Sequence, residues 1–160
     1  MTETLAPLRL ITDGACRGNP GPGAWGAWLR LGERERVLWG YTPQTTNNRM
    51  ELGAALQGLA ALKRSSAILV RSDSQYLIKG MTEWLPGWQK RAWRSAGGAA
   101  VKNIEIWQAL AQLAQQHEIR WEWVRGHAGD PENEAVYALI NRVLDRYAGN
   151  REEQQGEGWL

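Results

Sequence analysis

The chain has one cysteine, two histidines, no phenylalanine and a net charge of only +2 over 160 residues. A lone Cys16 forbids an internal disulfide and fits a reducing compartment, so a cytoplasmic setting is expected. No apolar run approaches the ~20 residues that span a bilayer, so no membrane partner is expected. Met1-Thr2-Glu3-Thr4 has neither the basic region nor the apolar core of a signal peptide. A charge of +2 is too small to mark a nucleic-acid binder by itself, so the distribution of charge must carry that argument. Repeats and internal linkers are absent too. The length reads as one domain over 1–148, large enough to bury a normal core. A polar tail, 149–160, rich in Glu and Gln, is expected to be disordered. The missing phenylalanines are offset by ten tryptophans, most of whose indoles are expected in the core.

What is present alternates between strand and helix patterns. Leu8–Thr12, Ala24–Leu31 and Val37–Tyr41 read as strands, with Gly32-Glu33-Arg34-Glu35 as a polar turn. Leu52, Leu56, Leu59 and Leu62 recur at helical spacing and predict a helix over Asn48–Leu62. Ala67–Ser72 is a short apolar run of the kind found in buried parallel strands. Ser74–Trp84 and Val101–Gln116 read as helices, Ile119–Arg125 as a strand, and Pro131–Tyr147 as a last helix capped by Asp130. A strand meander followed by alternating helix and strand predicts an α/β fold with a mixed sheet.

Three carboxylates punctuate these elements. Asp13 follows the first apolar run and leads into Gly14-Ala15-Cys16-Arg17-Gly18-Asn19-Pro20-Gly21-Pro22-Gly23. Glu51 follows Thr45-Thr46-Asn47-Asn48-Arg49-Met50, and Asp73 sits in Ser72-Asp73-Ser74-Gln75-Tyr76. Each alone has an ordinary explanation. Asp13-Gly14 is a turn signal, Glu51 fits a variant capping box, and Asp73 can cap the helix that follows. Those explanations do not predict all three together with their flanking amides. Isolated carboxylates at the ends of regular elements are what a hard divalent cation needs, because Mg²⁺ takes oxygen ligands and keeps several waters.

Further along, His127 lies in Val124-Arg125-Gly126-His127-Ala128-Gly129, flanked by small residues in a loop expected to move. Its ordinary pKa suits a proton shuttle. No acidic residue occurs between Glu83 and Glu105, a stretch that holds Lys90, Arg91, Arg94 and Lys102 among Trp84, Trp88 and Trp93. Cations without a local acid are expected to bind a phosphate backbone with salt-dependent affinity.

In this order and at these spacings, from about Leu8 to about Tyr147, the four segments resemble bacterial type 1 ribonuclease H. That family cuts the RNA strand of RNA–DNA hybrids with low sequence specificity. The resemblance implies a five-stranded mixed sheet in the order 3-2-1-4-5, its second strand antiparallel to the rest. Asp13, Glu51 and Asp73 would hold Mg²⁺, with Mn²⁺ able to stand in and two ions present when substrate is bound. His127 would assist proton transfer and product release. Thr46 and Arg49 would hold a DNA phosphate, and Lys90, Arg91 and Arg94 the DNA backbone. Cys16, Asn19, Asn47, Asn48 and Gln75 would read the minor groove, where the 2′-hydroxyl distinguishes RNA from DNA. The expected partner is therefore a hybrid duplex, with no obligatory protein partner and a monomeric chain. Gly97-Gly98-Ala99-Ala100 stands where the family carries further lysines, so the basic handle is expected to be weaker.

One position departs from the pattern. The family has a fourth Asp ten residues beyond the mobile histidine, and this chain has Tyr137 there. A phenol with a pKa near 10 cannot replace carboxylate charge at pH 7. Two readings follow: a hydrolase of reduced activity, or a hybrid-binding module that has lost catalysis. Asn141 and Glu134, each about a turn away, are candidates to supply the missing oxygen.

Overall fold

A computed structural model of the chain describes residues 8–126 and 129–160. Its first strand, β1 (Leu8–Cys16), sets both layers of the molecule. Successive side chains of a strand point to opposite faces, so Leu10 and Ile11 each seed one of two buried clusters. On the Leu10 face lie α1 (Asn47–Ala60) and α4 (Ile104–Ala114), which contribute Leu52, Leu59, Trp107 and Leu110. On the Ile11 face lies α5 (Pro131–Tyr147), which contributes Val136, Leu139, Ile140, Val143 and Leu144. Each such aliphatic side chain, fully buried, adds roughly 1.5–3 kcal/mol of transfer free energy.

β2 (Gly21–Leu31) and β3 (Arg34–Thr45) complete an antiparallel meander with β1. β4 (Ala67–Ser72) and β5 (Glu118–Trp123) extend the sheet in parallel on the other side of β1. The order β5-β4-β1-β2-β3-β6 contains the implied five-strand order and adds a sixth strand. That strand, β6 (Gln154–Glu157), corrects the expectation of a disordered tail. It pairs antiparallel with β3 from Leu38↔Glu157 to Tyr41↔Gln154. Arg36 grips Glu157 through two bonds of 2.9 and 3.2 Å, and Trp159 packs edge-on against Trp28 at 5.0 Å. Main-chain pairing and an ion pair hold this edge strand, so its polar composition carried no strand signal.

Other boundaries move for local reasons. β1 runs past Thr12 to Cys16 because its pairing with β2 continues to Cys16↔Gly23. Asp13-Gly14 is therefore inside a strand, and the loop from β1 to β2 is only Arg17–Pro20. The expected helix Ser74–Trp84 is instead α2 (Gln75–Lys79), a π turn at Gly80–Trp84 and α3 (Leu85–Lys90). Pro86 has no N–H to donate to the carbonyl four residues back, so a continuous α-helix is interrupted there. α4 begins at Ile104, not Val101, because Asn103 takes a left-handed backbone with φ 59°. Three indoles, Trp25, Trp39 and Trp107, are buried, and Trp28, Trp88, Trp93 and Trp121 pack partly buried against the two cores. Trp84, Trp123 and Trp159 are exposed.

A charged clasp fixes the start of α5 against the sheet. Glu132 is buried and receives Arg30 at 2.6 Å, Arg71 at 2.7 Å, and Arg9. Arg71 also binds Asp130, which caps α5 by accepting from the Asn133 N–H at 3.1 Å. Each cation of the clasp comes from a different strand, so it fixes α5 over β1, β2 and β4 at once.

Candidate metal centre

The end of β4, the later part of β1 and the first turns of α1 converge on a single point. The parallel pairing of β1 with β4 ends at Thr12↔Ser72, so the next residues, Asp13 and Asp73, emerge side by side. This is the carboxyl end of β4 and of its parallel pairing with β1, the side on which open α/β sheets bind ligands. Glu51 arrives from the first turns of α1 because Gly14 lets the two backbones nearly touch. A Cβ at position 14 would lie 2.4 Å from the Met50 carbonyl carbon and 2.5 Å from the Glu51 nitrogen. Gly126 does the same for the third carboxylate, since a Cβ there would lie 2.6 Å from Asp73 Oδ2.

The capping explanations do not hold. Thr46 caps α1, its hydroxyl accepting from the Arg49 N–H at 3.2 Å, which leaves Glu51 too deep in the helix to cap it. Ser74 caps α2 by accepting from the Leu77 N–H at 3.1 Å, which frees Asp73 from that task.

One ligand oxygen from each of Asp13, Glu51 and Asp73 lies within 4.8 Å of the other two. Asp13 Oδ1 accepts from the Gly14 N–H at 2.9 Å. Glu51 Oε1 and Asp73 Oδ1 are buried without a hydrogen-bond partner. Burial first, and then the Asp73 charge, push the Asp13 carboxyl up to about 8. Burial, then Asp13 and then Asp73, raise Glu51 well above the ordinary carboxylate range. Three carboxylates cannot all ionise in so small a desolvated space without a compensating cation. An all-oxygen donor set with two orphaned buried oxygens fits a hard divalent ion, and Asp13, Glu51 and Asp73 are the residues that would hold it.

These shifts give the metal centre a pH signature. A raised carboxyl keeps its proton in the folded state, so between the ordinary pKa of 3.8 and about 8 the folded protein binds more protons than the unfolded chain. Without divalent ions, this site's contribution to stability therefore falls as pH rises across that window. Asp130 and Glu132 are lowered, chiefly through their arginine partners, so their contributions are lost only as pH falls below the ordinary carboxylate range. Mg²⁺ binding at pH 7 is expected to release about one proton, because ligand carboxylates must ionise. Calorimetry in buffers of different ionisation enthalpy measures this, and equal heats in all buffers would refute the shift at Asp13.

The Cys16 N–H donates to Asn47 Oδ1 at 3.2 Å and the Asn47 N–H donates to Asn19 Oδ1 at 3.1 Å, so these three form one surface beside the carboxylates. Asn48 and Gln75 are exposed at the starts of α1 and α2. Thr46 is engaged as the α1 cap, and Arg49 is bound to Asn103 at 3.1 Å and Glu105 at 2.7 Å. Lys90, Arg91 and Arg94 are exposed, and among the described residues none has a carboxylate within ion-pair distance. His127 lies outside the described residues. Sequence reasoning missed Gly14 and Gly126, whose role is to leave room. It also missed Trp123, whose bond to the Asp73 main chain has no sequence signal.

Tyr137 stands on α5, 38% exposed. Neither candidate for the missing oxygen joins the cluster. Asn141 donates from Nδ2 to the Tyr137 carbonyl at 3.1 Å, and its amide oxygen faces Arg17. Glu134 is exposed and is not part of the three-carboxylate group.

A family model described as RNase H matches residues 6–144. A ribonuclease H from Acidithiobacillus ferrooxidans is 65% identical over 153 residues, covering 96% of this chain and 97% of that protein. A ribonuclease H from Bordetella pertussis is 54% identical over 142 residues, covering 89% of this chain and 92% of its own. Among solved structures, LC9-RNase H1, described as a type 1 RNase H with the type 2 active-site motif, superposes with a TM-score of 0.79. It is 29% identical, over 99% of this chain and 80% of that one. RNase H1 from Halobacterium salinarum superposes with a TM-score of 0.58 at 26% identity, over 87% and 98% of the two chains.

Proposed function

The chain belongs to the ribonuclease H family, and from that premise we propose that it is an endonuclease cutting the RNA strand of RNA–DNA hybrids, with Asp13, Glu51 and Asp73 holding its divalent ions. The observation that carries the metal assignment is the pair of orphaned buried oxygens, Glu51 Oε1 and Asp73 Oδ1, converging with Asp13. Asp13, Glu51 and Asp73 would hold the divalent ions, two with substrate present, and these would supply positive charge for an in-line displacement. Water adds to phosphorus, the bond to the 3′-oxygen breaks, and the products carry 5′-phosphate and 3′-hydroxyl ends. His127 is the proposed proton shuttle. Asn19, Asn47 and Gln75, with the Cys16 main chain, face the minor groove and select for 2′-hydroxyls. Amide and main-chain readers of this kind discriminate sugar rather than sequence. The protein is proposed to act as a monomer in the cytoplasm.

A second reading, an impaired or inactive hybrid-binding module, is favoured by one observation: Tyr137 lies ten residues beyond His127, where the resemblance implies a fourth acidic residue. Incubation of a labelled hybrid with Mg²⁺, with Mn²⁺ and with a chelator separates the two. Cleavage of the RNA strand that depends on the ion supports the enzyme. Binding without cleavage under either ion supports the module.

The basic segment supplies a further test. Lys90, Arg91 and Arg94 are proposed to lie along the DNA backbone. Replacing all three with Ala is expected to raise KM about tenfold and to flatten the salt dependence of binding by up to about three charges, with kcat little changed. An unchanged salt slope removes this segment from the binding surface.

A further inference from the structure

Trp123 ends β5 with 41% of its surface open to solvent. Its indole N–H donates to the main-chain oxygen of Asp73 at 3.1 Å. The pairing of β4 with β5 stops at Ser72↔Trp123, and the Val124 N–H takes the Ser72 carbonyl at 2.9 Å. The Asp73 carbonyl therefore lies just past the last ladder bond, and the indole is its donor. The same indole walls a cavity of about 190 Å³ whose other sides are Gln75, Ile78, Lys79 and Glu83. Gln75, two residues from Asp73 and one of the proposed minor-groove readers, also lines this cavity, so the cavity lies next to the site at Asp73 on the β5 side.

We propose that this cavity is a further subsite for the RNA strand, receiving one ribose–phosphate unit beside the cleaved linkage, and that Trp123 is also a positioning residue for Asp73. The inference rests on the hybrid-cleaving reading above. An RNA strand whose cleaved phosphate lies at Asp73 must continue past Gln75 in one direction, over Trp123. The indole face and Ile78 offer apolar contact to the carbon edge of a sugar, and Lys79 offers a cation to its phosphate. A ribose edge reaches the shelf from an intact duplex, whereas a base would have to be unstacked first. Glu83 at the rim disfavours a second phosphate, so the shelf takes one unit. Such contact is independent of sequence, as the amide readers are. Because the indole N–H holds the Asp73 carbonyl, the surface that packs on the sugar also fixes the carboxylate on the next bonds.

Hydroxyl-radical footprinting of the whole chain, with a short RNA–DNA hybrid and a chelator to prevent cleavage, tests the contact without any variant. Oxidation of Trp123 is expected to fall at least about threefold on binding, while Trp159, exposed at the opposite edge of the sheet, is unchanged. W123A is expected to weaken hybrid binding about tenfold through lost apolar contact with the sugar. W123F keeps the ring and loses the N–H. It is expected to bind hybrid as the parent does, to cleave more slowly and to bind Mn²⁺ several-fold more weakly in the absence of substrate. A hybrid that is bound and cleaved while Trp123 stays as oxidisable as Trp159 overturns the subsite and leaves the enzyme reading intact. A W123F protein with parental kcat and Mn²⁺ affinity overturns the positioning role. A chain that neither binds nor cleaves hybrid overturns the underlying reading, and the proposal with it.

Discussion

Tyr137→Asp is expected to raise hybrid cleavage by on the order of 10²–10³-fold, the scale on which one well-placed charge acts at a transition state. The register of the sheet supports the placement. Asp13 pairs with Gly26, and paired residues of an antiparallel ladder share a face. A Cβ at Gly26 would meet Val136 at 2.9 Å, Leu139 at 3.4 Å and Ile140 at 3.6 Å. α5 thus crosses the Asp13 face at the turn that contains residue 137. A fourth carboxylate there adds one negative oxygen to a site whose field is dominated by a divalent ion, so Mg²⁺ affinity should rise with the rate. The ring is 38% exposed, so the substitution loses the packing of a half-buried side chain, about 1–2 kcal/mol. Without divalent ions the added charge deepens the repulsion at Asp13 and Glu51, so the variant should melt lower in a chelator and recover with Mg²⁺. Initial rates on a defined hybrid and a calorimetric metal titration decide the matter. A variant that folds normally yet cleaves no faster would show that residue 137 is not at the metal site.

Asp73→Asn is expected to reduce cleavage by at least about 10³-fold while hybrid binding changes by no more than a few-fold, since the loss falls on transition-state stabilisation alone. Asn is nearly isosteric, keeps an oxygen and removes the charge that the ion needs. Ser74 caps α2, so the melting temperature should not fall through loss of a cap. It should instead rise slightly at pH 8 in a chelator, because the Asp73 charge is the second largest cause of the raised Asp13 carboxyl. Loss of hybrid binding equal to the loss of cleavage would mean that Asp73 serves substrate affinity instead. A steep fall in melting temperature would make it a structural residue.

Much of the candidate site was legible because its parts are short and local. Asp13, Glu51 and Asp73 each carry their own flanking amides, hydroxyls or glycines, although only Asp73 falls at the end of a regular element, Asp13 lying inside β1 and Glu51 inside α1. The ordinary explanations for two of them failed on details that sequence does not rank. Both Thr46 and Asn48 suit the start of α1, and both Asp73 and Ser74 suit the start of α2. Which residue caps is decided by where tertiary packing begins the helix, since one position either way changes which side chain meets the free N–H groups. β6 was missed for a different reason. A four-residue edge strand held by main-chain bonds needs no apolar alternation, so Gln154–Glu157 reads as solvent-loving tail until β3 is there to pair with it.

The sequence by itself determined the α/β class and the family, and it singled out the three carboxylates that the fold brings together and Tyr137 as the position to test. Apolar periodicity and short motifs act over a few residues and survive without a fold. Tertiary structure alone decided that Gly14 brings Glu51 against Asp13, that two carboxylate oxygens are buried without partners, and that Trp123 holds the Asp73 carbonyl. Those facts join positions that are tens of residues apart in the chain. They depend on strand register and on distances of a few tenths of an ångström, and no pattern along the sequence encodes either until the two layers have packed.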